Sequence, residues 1–206
     1  MDNQTPLRPD AELWRRAVDG DHDAFGDLFD RHSRAIYNFC FRRTADWAAA
    51  EDLVATVFLE AWRKRSSVKV APDGSLLPWL YGVALNLLRN HRRAQHRLLG
   101  ALHRLRREAQ EADSTGDAAT HVEAARRMRA VLDSVEQLPR RERDVLYLCV
   151  FAGLGYADAA LVLGIPTGTV RSRLSRARIR LRELQIQTRH RESTHPTERG
   201  VADDAA

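Results

Sequence analysis

Few residues in this 206-residue chain can cross-link it, interrupt its helices or anchor it in a membrane. Its two cysteines, Cys40 and Cys149, lie far apart and are expected to be reduced core thiols, because the chain has no CxxC pair and no dense cysteine framework. Seven prolines and eleven glycines are few enough to favour helices. No apolar run approaches the roughly 18 residues of a membrane span, and no signal peptide is recognisable at the N-terminus. These absences predict a soluble helical protein of the cytoplasm.

Acidic residues are missing from one long stretch. The formal net charge of the chain is +5, and no Asp or Glu occurs between Gly74 and Arg107. Basic residues accumulate in the same stretch: Arg89, Arg92, Arg93, Arg97, Arg104, Arg106 and Arg107. A concentration of positive charge on one segment suits a polyanionic partner such as a nucleic acid.

Residues 156–178 have the pattern of two helices joined by a tight turn. Gly164 is a helix stop, Pro166 prevents the first helix from continuing, and Thr167 is the expected N-cap of the second. Helical spacing predicts the inner face of the first helix at Ala157, Ala160 and Leu161. It predicts the inner face of the second at Val170, Leu174, Ala177 and Leu181.

The outer face of that second helix is polar and basic. It carries Arg171, Ser172, Ser175, Arg176 and Arg178. A helix-turn-helix that presents such a face can enter the major groove of DNA. The alternative is an ordinary helical hairpin whose basic face is only solvated.

The N-terminal half predicts helices near 10–18, 25–40 and 48–62 and a further helix from Pro78, with Asp10 as the cap of the first. Trp79 and Tyr81 begin the last of these, ahead of four polar residues: Asn86, Arg89, Asn90 and Arg93. A flat ring beside hydrogen-bonding groups is what an unstacked base requires. The alternative is that Trp79 belongs to the core.

No group of residues has the spacing of a catalytic or metal site. Glu51 and Asp52 are neighbours on a helix, so their side chains point some 100° apart and suit a cap or a protein contact. His32 lies on an apolar face and is expected to be packed there. The remaining candidates, His91, His96 and His103, are not at ligand spacing. We therefore expect no catalytic residue, no metal and no cofactor.

A change of composition divides the chain into two parts. Residues 98–107 are basic, and the following stretch to about 121 is acidic and small, which is typical of a linker. The expected organisation is all-α, with two small helical domains at 11–97 and 122–187, a flexible linker at 98–121 and a disordered tail at 188–206.

Four segments together resemble the bacterial RNA polymerase sigma factors of the extracytoplasmic-function group. Residues 50–63 resemble their polymerase-binding helix, and residues 79–86 resemble the start of their promoter-reading helix. Residues 138–143 and 164–178 resemble parts of their second conserved domain, the helix-turn-helix. The resemblance implies a subunit that binds core RNA polymerase and directs promoter recognition and melting, without being an enzyme.

The resemblance also implies roles for individual residues. Polymerase binding falls to Asp52, Leu53, Thr56 and Phe58. Reading of the downstream minus-ten element falls to Trp79, Asn86, Arg89, Asn90 and Arg93, with Asn86 in a pocket for a flipped base. Reading of the upstream minus-thirty-five element falls to Thr169, Arg171, Ser172, Arg173, Ser175 and Arg176. The implied partners are the beta-prime clamp and beta flap of the polymerase, promoter DNA and an anti-sigma factor.

The chain departs from the family pattern at several positions. Ala55 and Thr56 stand where Gln and an acidic residue are usual, and Asp158 and Ala159 stand where Glu and Ile are usual. Two other hypotheses are a stand-alone helix-turn-helix regulator with a sensory N-terminal domain and an enzyme that acts on DNA. Residues 25–97 show no ligand-pocket signature, which counts against the regulator. No converging cluster of Asp, Glu and His supports the enzyme.

Overall fold

The computed structural model describes residues 8–68, 70, 74–106 and 132–193, and all regular structure within these ranges is helical. This confirms the all-α prediction. An N-terminal unit contains α1 (Asp10–Val18), α2 (His22–Thr44), α3 (Trp47–Lys64), a short 3-10 turn (Arg65–Ser67) and α4 (Leu77–Arg106). A C-terminal unit contains helical residues 132–136, α5 (Arg140–Leu146), a π-helical turn (Tyr147–Phe151), α6 (Tyr156–Leu163) and α7 (Thr167–Ser193).

The core of the N-terminal unit lies between α2, α3 and α4. Each helix contributes one apolar stripe, as the 3.6-residue period requires. The central members are fully buried: Leu28, Ile36, Phe39, Val57, Leu80 and Leu85. Side-chain carboxylates of Asp21 and Asp46 accept hydrogen bonds from the backbone N–H groups of Ala24 and Ala49, and so begin α2 and α3.

Asp10 ties three elements of this unit together. Its carboxylate accepts hydrogen bonds from Arg31 Nη1 at 2.6 Å and from the backbone N–H of Leu76 at 2.9 Å, and it lies 2.7 Å from His32 Nε2. Burial raises the pKa of this carboxyl, but the bonds from Leu76, Arg31 and His32 outweigh burial and hold the pKa below its ordinary value. Asp10 was expected to cap α1. It is instead the first residue of that helix, after Pro9, and is buried.

The turn between α6 and α7 depends on one left-handed residue. Gly164 ends α6 with φ of 63°, and the N–H of Ile165 returns to the carbonyl of Ala160 at 3.1 Å. The carbonyl of Pro166 then accepts the first hydrogen bonds of α7, from Thr169 and Val170. Thr167 is therefore inside α7 and is not its N-cap, which corrects the expectation.

The two units pack against each other through Tyr147. Its ring is buried, meets Phe39 of α2 edge-on with centroids 6.4 Å apart, and lies under the guanidinium of Arg43 at 4.2 Å. Buried residues of both units consequently form one continuous core.

Three further sequence expectations differ from the structure. Helix α4 continues to Arg106, into the segment expected as a linker, and α7 continues to Ser193, into the expected tail. Residues 107–131 and 194–206 lie outside the described residues. On α6, Leu161 is 70% exposed and Ala157 is exposed, whereas Ala159 and Ala160 are buried. The inner face is rotated because this short helix packs against both α7 and α4.

We expect Asp10→Ala to lower the free energy of unfolding by about 3 kcal/mol, because it leaves buried donors without an acceptor. The pKa of Asp10 is depressed on folding, so its contribution is present above the unfolded value of about 4 and is lost as the pH falls through the folded-state pKa. Urea melts at neutral pH and at about pH 3 should show the deficit shrinking in acid. Asp19→Ala removes an exposed pair 3.7 Å from Arg15 and should cost at most about 0.5 kcal/mol. A deficit that stays constant with pH would contradict the assigned role.

Gly164 and Gly168 form a matched pair for testing the turn. Gly164→Ala forces a Cβ into the left-handed region and should cost about 1 kcal/mol of stability. Gly168 lies within α7, and no atom of the described residues approaches within 4 Å of a Cβ built there. Gly168→Ala should therefore raise stability by up to about 1 kcal/mol. Thermal unfolding of both variants checks the prediction, and equal effects would argue against it.

Candidate nucleic-acid interface

One face of α7 presents polar and basic side chains to solvent. Val170, Leu174 and Ala177 are buried and fix the rotation of the helix, as the sequence predicted. The opposite face exposes Arg171, Ser172, Ser175, Arg176 and Arg178. The result is a helix whose donors are available over two turns, the form in which a protein reads the major groove.

Glu142 of α5 pairs with two arginines of α7, Arg176 and Arg180. It is buried, accepts a 2.6 Å hydrogen bond from Arg180 Nη1, and lies 3.6 Å from Arg176 Nε. Arg176 is nevertheless 57% exposed, so its remaining donors point to solvent. Glu142 lies in the segment 138–143 that resembles the family, but its pairing with Arg176 and Arg180 has no periodic signature and could not be predicted.

Two of the residues predicted to read the upstream element, Thr169 and Arg173, are only partly exposed. Thr169 is half-buried, and its carbonyl accepts a 3.1 Å hydrogen bond from Ser172 Oγ. Arg173 turns toward the N-terminal unit, where it lines a cavity of about 240 Å³ with Arg89 and Asp144. The structure therefore separates Arg173 from the outward-facing residues of α7.

On α4, three of the predicted downstream residues are exposed: Asn86, Asn90 and Arg93. Trp79 is half-buried and packs 6.0 Å from Trp14. Tyr81 is buried, with its ring 5.0 Å from Phe39, so it offers no surface to a base. Trp79 contributes to the core, as the alternative interpretation held, and also borders the surface.

Arg89 bridges the two units. Its Nη1 donates to Asn86 Oδ1 at 3.0 Å, and its Nη2 donates to Asp144 Oδ2 at 2.8 Å. Asp144 is 5% exposed and also lies 3.4 Å from Arg43 Nη2. The partnership of Asp144 with Arg43 and Arg89 spans more than fifty residues of sequence, and no local pattern could have revealed it.

The expected polymerase-binding helix, α3, shows a mixed surface. Asp52 and Thr56 are exposed, and Thr56 Oγ1 donates to the Asp52 carbonyl at 2.8 Å. Leu53 and Phe58 are buried, the latter with its ring 4.7 Å from Phe29. Both residues belong to the apolar stripe with which α3 packs on the core, so Asp52 and Thr56 are the exposed members of the predicted polymerase-binding set.

Three features of the described residues bear on other kinds of function: metal-ligating side chains, thiols and long helices. Among them no group of three metal-ligating side chains converges. Burial raises the pKa of the Cys40 thiol to about 12, which keeps it protonated and unreactive. None of the described helices is both long and apolar enough to span a membrane. The described residues do present two basic surfaces, one on α4 and one on α7.

Both units match known protein families. The chain matches Sigma-70 region 2 over residues 28–98 and Sigma-70, region 4 over residues 128–181. It is 30% identical over 181 residues to the RNA polymerase sigma factor NccH of Alcaligenes xylosoxydans xylosoxydans, covering 85% of this chain and 94% of NccH. It is 32% identical over 178 residues to the ECF RNA polymerase sigma factor SigM of Mycobacterium tuberculosis, covering 86% of this chain and 85% of SigM.

Solved structures show the same fold. CnrH, in complex with the cytosolic domain of CnrY, aligns with a TM-score of 0.65 at 24% identity, covering 86% of this chain and 97% of CnrH. The sigma factor RpoE of Bartonella quintana, in complex with the anti-sigma factor NepR, aligns with a TM-score of 0.53 at 26% identity, covering 78% of this chain and 96% of RpoE. The chain therefore belongs to the sigma-70 family of RNA polymerase sigma factors, in its extracytoplasmic-function group.

Proposed function

We propose that this sigma factor reads its promoters at two places, with α7 in the major groove of the upstream element and α4 at the melted downstream element. Membership of the family establishes that it binds core RNA polymerase and directs transcription initiation at promoters. The assignment of the two helices to the two elements is the proposal. The observation that carries it is the exposed basic face of α7, fixed by a fully buried opposite face.

Arg171 and Arg176 are the proposed base-reading residues of the upstream contact. Each is exposed, and a guanidinium that binds guanine through two hydrogen bonds discriminates against other bases by about 1–3 kcal/mol. Ser172 and Ser175 lie on the same face and are small enough to let the helix backbone approach the DNA. Two such arginine contacts give modest specificity, which a second element multiplies when polymerase fixes the distance.

The downstream contact is proposed to nucleate strand separation. Separating DNA strands costs about 1.4 kcal/mol per base-pair step on average. A base captured against an aromatic side chain returns roughly 1–3 kcal/mol. Asn86 and the rim of Trp79 can hold a base at the surface of α4, while Asn90 and Arg93 continue that surface along the strand. A few captured bases start the bubble, and polymerase supplies the remaining free energy.

The polymerase contact is proposed for the exposed side of α3 and the groove beside it. Asp52 and Thr56 present polar groups there, and Leu59 is 55% exposed. A groove of about 340 Å³ runs between α2 and α3, lined in part by Phe29, Tyr37 and Val54. The beta-prime clamp is the proposed occupant of this side, and the beta flap is the proposed partner of the C-terminal unit.

Further assignments rest on the relatives. RpoE of Bartonella quintana was solved with the anti-sigma factor NepR, so an anti-sigma factor is included among the proposed partners. The proposed location is the cytoplasm, and the proposed role is binding rather than catalysis. The two functional domains are proposed to correspond to residues 11–97 and 122–187. The match to region 2 over residues 28–98 argues against a stand-alone regulator with a sensory N-terminal domain.

Arg176→Ala should weaken recognition of the upstream element by about 1–3 kcal/mol. Run-off transcription on genomic DNA with core polymerase identifies the promoters, and binding to upstream-element duplexes of matched and altered sequence then measures the loss. Arg182→Ala removes the same charge from an exposed position farther along α7 and serves as the control. An equal loss on matched and altered duplexes would show that Arg176 contacts only phosphate.

Asn86→Ala should impair transcription from duplex promoters more than from promoters with a pre-melted downstream element. The physical reason is that base capture contributes to opening, and opening is already complete in the pre-melted template. Asn38→Ala, at an exposed position on α2, is the matched control and should leave both templates unaffected. Equal impairment on both templates would remove the proposed capture role.

A further inference from the structure

We propose that a small polyphosphate anion binds in an arginine-lined cavity between α4 and α5, with the guanidinium groups of Arg43 and Arg143 as its innermost donors. The ligand is a compact chain of phosphates, and tripolyphosphate is the simplest probe of that class. The site does not depend on the assignment of α4 and α7 to promoter elements.

A cavity of about 230 Å³ lies where α2, α4 and α5 meet. It is smaller than the roughly 300 Å³ at which pockets for drug-sized ligands begin, so it suits a compact ligand. Within the described part of the chain, Asp144 is the acidic residue on its wall. The basic residues on the wall are six arginines: Arg43, Arg89, Arg92, Arg93, Arg140 and Arg143. Arginine suits phosphate because its planar fork of donors matches two phosphate oxygens.

Asp144 compensates part of this positive charge and is shared by three arginines. Its Oδ2 accepts a 2.8 Å hydrogen bond from Arg89 Nη2, and its Oδ1 lies 3.4 Å from Arg43 Nη2. Arg140 Nε lies 3.8 Å from Asp144 Oδ2, and the Arg140 side chain is 53% exposed. One carboxylate cannot neutralise three guanidinium groups, so positive charge remains on this side of the cavity.

Glu136 lies beside the cavity and is shared in the same way. It forms an ion pair with Arg92, and its Oε2 lies 3.5 Å from Arg143 Nη1. Arg93 adds a further positive charge and is exposed. Six arginines therefore share two carboxylates among the described residues. Burial also lowers the pKa values of Arg43 and Arg143, so the two carboxylates do not fully offset the cost of burying these charges.

Some donors of the cavity arginines lack an acceptor. Three buried nitrogens have no hydrogen-bond partner within the residues that the structure describes: Arg43 Nη1, Arg89 Nε and Arg143 Nε. The side chains of Arg43 and Arg143 are each only 8% exposed. A buried charged donor is costly to leave unpaired. A phosphate oxygen inside the cavity supplies the acceptor, and its negative charge offsets the excess of positive charge.

A second cavity, of about 240 Å³, continues the first. The two share Arg89, Arg140 and Asp144, and the second adds Arg141 and Arg173. Adjoining cationic cavities favour a chain of phosphates over a single phosphate ion, because a chain can occupy both at once. The proposed ligand also gives a role to Arg173, which the structure separates from the outward-facing residues of α7.

The depth of the innermost donors favours a free polyphosphate over the DNA backbone. Each phosphate of a DNA backbone is linked to a sugar on both sides and carries one negative charge. Tripolyphosphate concentrates several charges on a body without bulky groups, so its terminal oxygens can reach the buried side chains of Arg43 and Arg143. A bound polyphosphate contacts α2, α4 and α5 together and should stabilise the folded chain.

Isothermal titration calorimetry of the full chain with tripolyphosphate, without divalent cations, tests the site. We expect one ligand per chain, bound about tenfold more tightly than inorganic phosphate because it spans both cavities. Arg140→Gln removes a half-exposed guanidinium and should weaken binding about tenfold, the size of one charge-assisted hydrogen bond. Arg182→Gln removes the same charge from an exposed position on α7 and is the matched control. Equal effects of the two variants, or no binding by the wild type, would overturn the proposal.

Arg43→Lys tests the innermost donor. It keeps the charge but removes the buried Nη1 that lacks an acceptor, so affinity for tripolyphosphate should fall about tenfold. Circular dichroism checks that the variant is folded, and unchanged affinity in the folded variant would overturn the role of Arg43. If Arg43→Lys does not fold, the comparison of Arg140→Gln with Arg182→Gln decides, supported by thermal unfolding. At equal tripolyphosphate concentration, the Tm of the wild type should rise more than that of Arg140→Gln.

Short single-stranded DNA at an equal concentration of phosphate distinguishes the two sources of phosphate. We expect tripolyphosphate to bind the wild type with the same affinity whether or not this DNA is present, because the DNA does not enter the cavity. Displacement of tripolyphosphate by the DNA would assign the cavity to DNA binding and overturn the proposal.

Discussion

Helix α4 has to satisfy two neighbours at once, and the rest of the structure depends on how it does so. Its buried stripe, which includes Leu80, Ala84 and Leu88, completes the core of the N-terminal unit. Its other side carries Asn86 and Arg89, whose hydrogen bonds connect it to the C-terminal unit. A helix packed on one face is free to present polar groups on the other. In this structure the second face binds the chain itself, through Arg89 and Asp144.

The sequence predicted the buried face of a helix correctly where the helix is long enough to show a clear 3.6-residue period. The rotation of α7 was predictable because Val170, Leu174 and Ala177 repeat at helical spacing along a long helix, and all three are buried. It was less successful on α6, where Leu161 is exposed and Ala159 is buried. A helix of eight residues is too short for its period to outweigh the demands of two neighbours.

Long-range pairings could not be predicted at all. Asp144 meets Arg43 and Arg89, and Asp10 meets the backbone of Leu76, across separations of about a hundred, 55 and 66 residues. A carboxylate among arginines looks the same in sequence whether it is solvated or buried. Its environment is fixed only when the two units meet. The same limitation explains why the contacts between the N-terminal and C-terminal units could not be predicted.

The continuous core that joins the two units has a consequence for cooperativity. The C-terminal unit is small, and small units bury a smaller fraction of their surface than large ones. Tyr147 shares its burial with Phe39, so loss of either unit exposes part of the other's interior. Heat should therefore melt the free protein in a single transition, although it belongs to a family described by two separate regions. The free energy of unfolding then belongs to the chain as a whole and cannot be divided into a share for each unit.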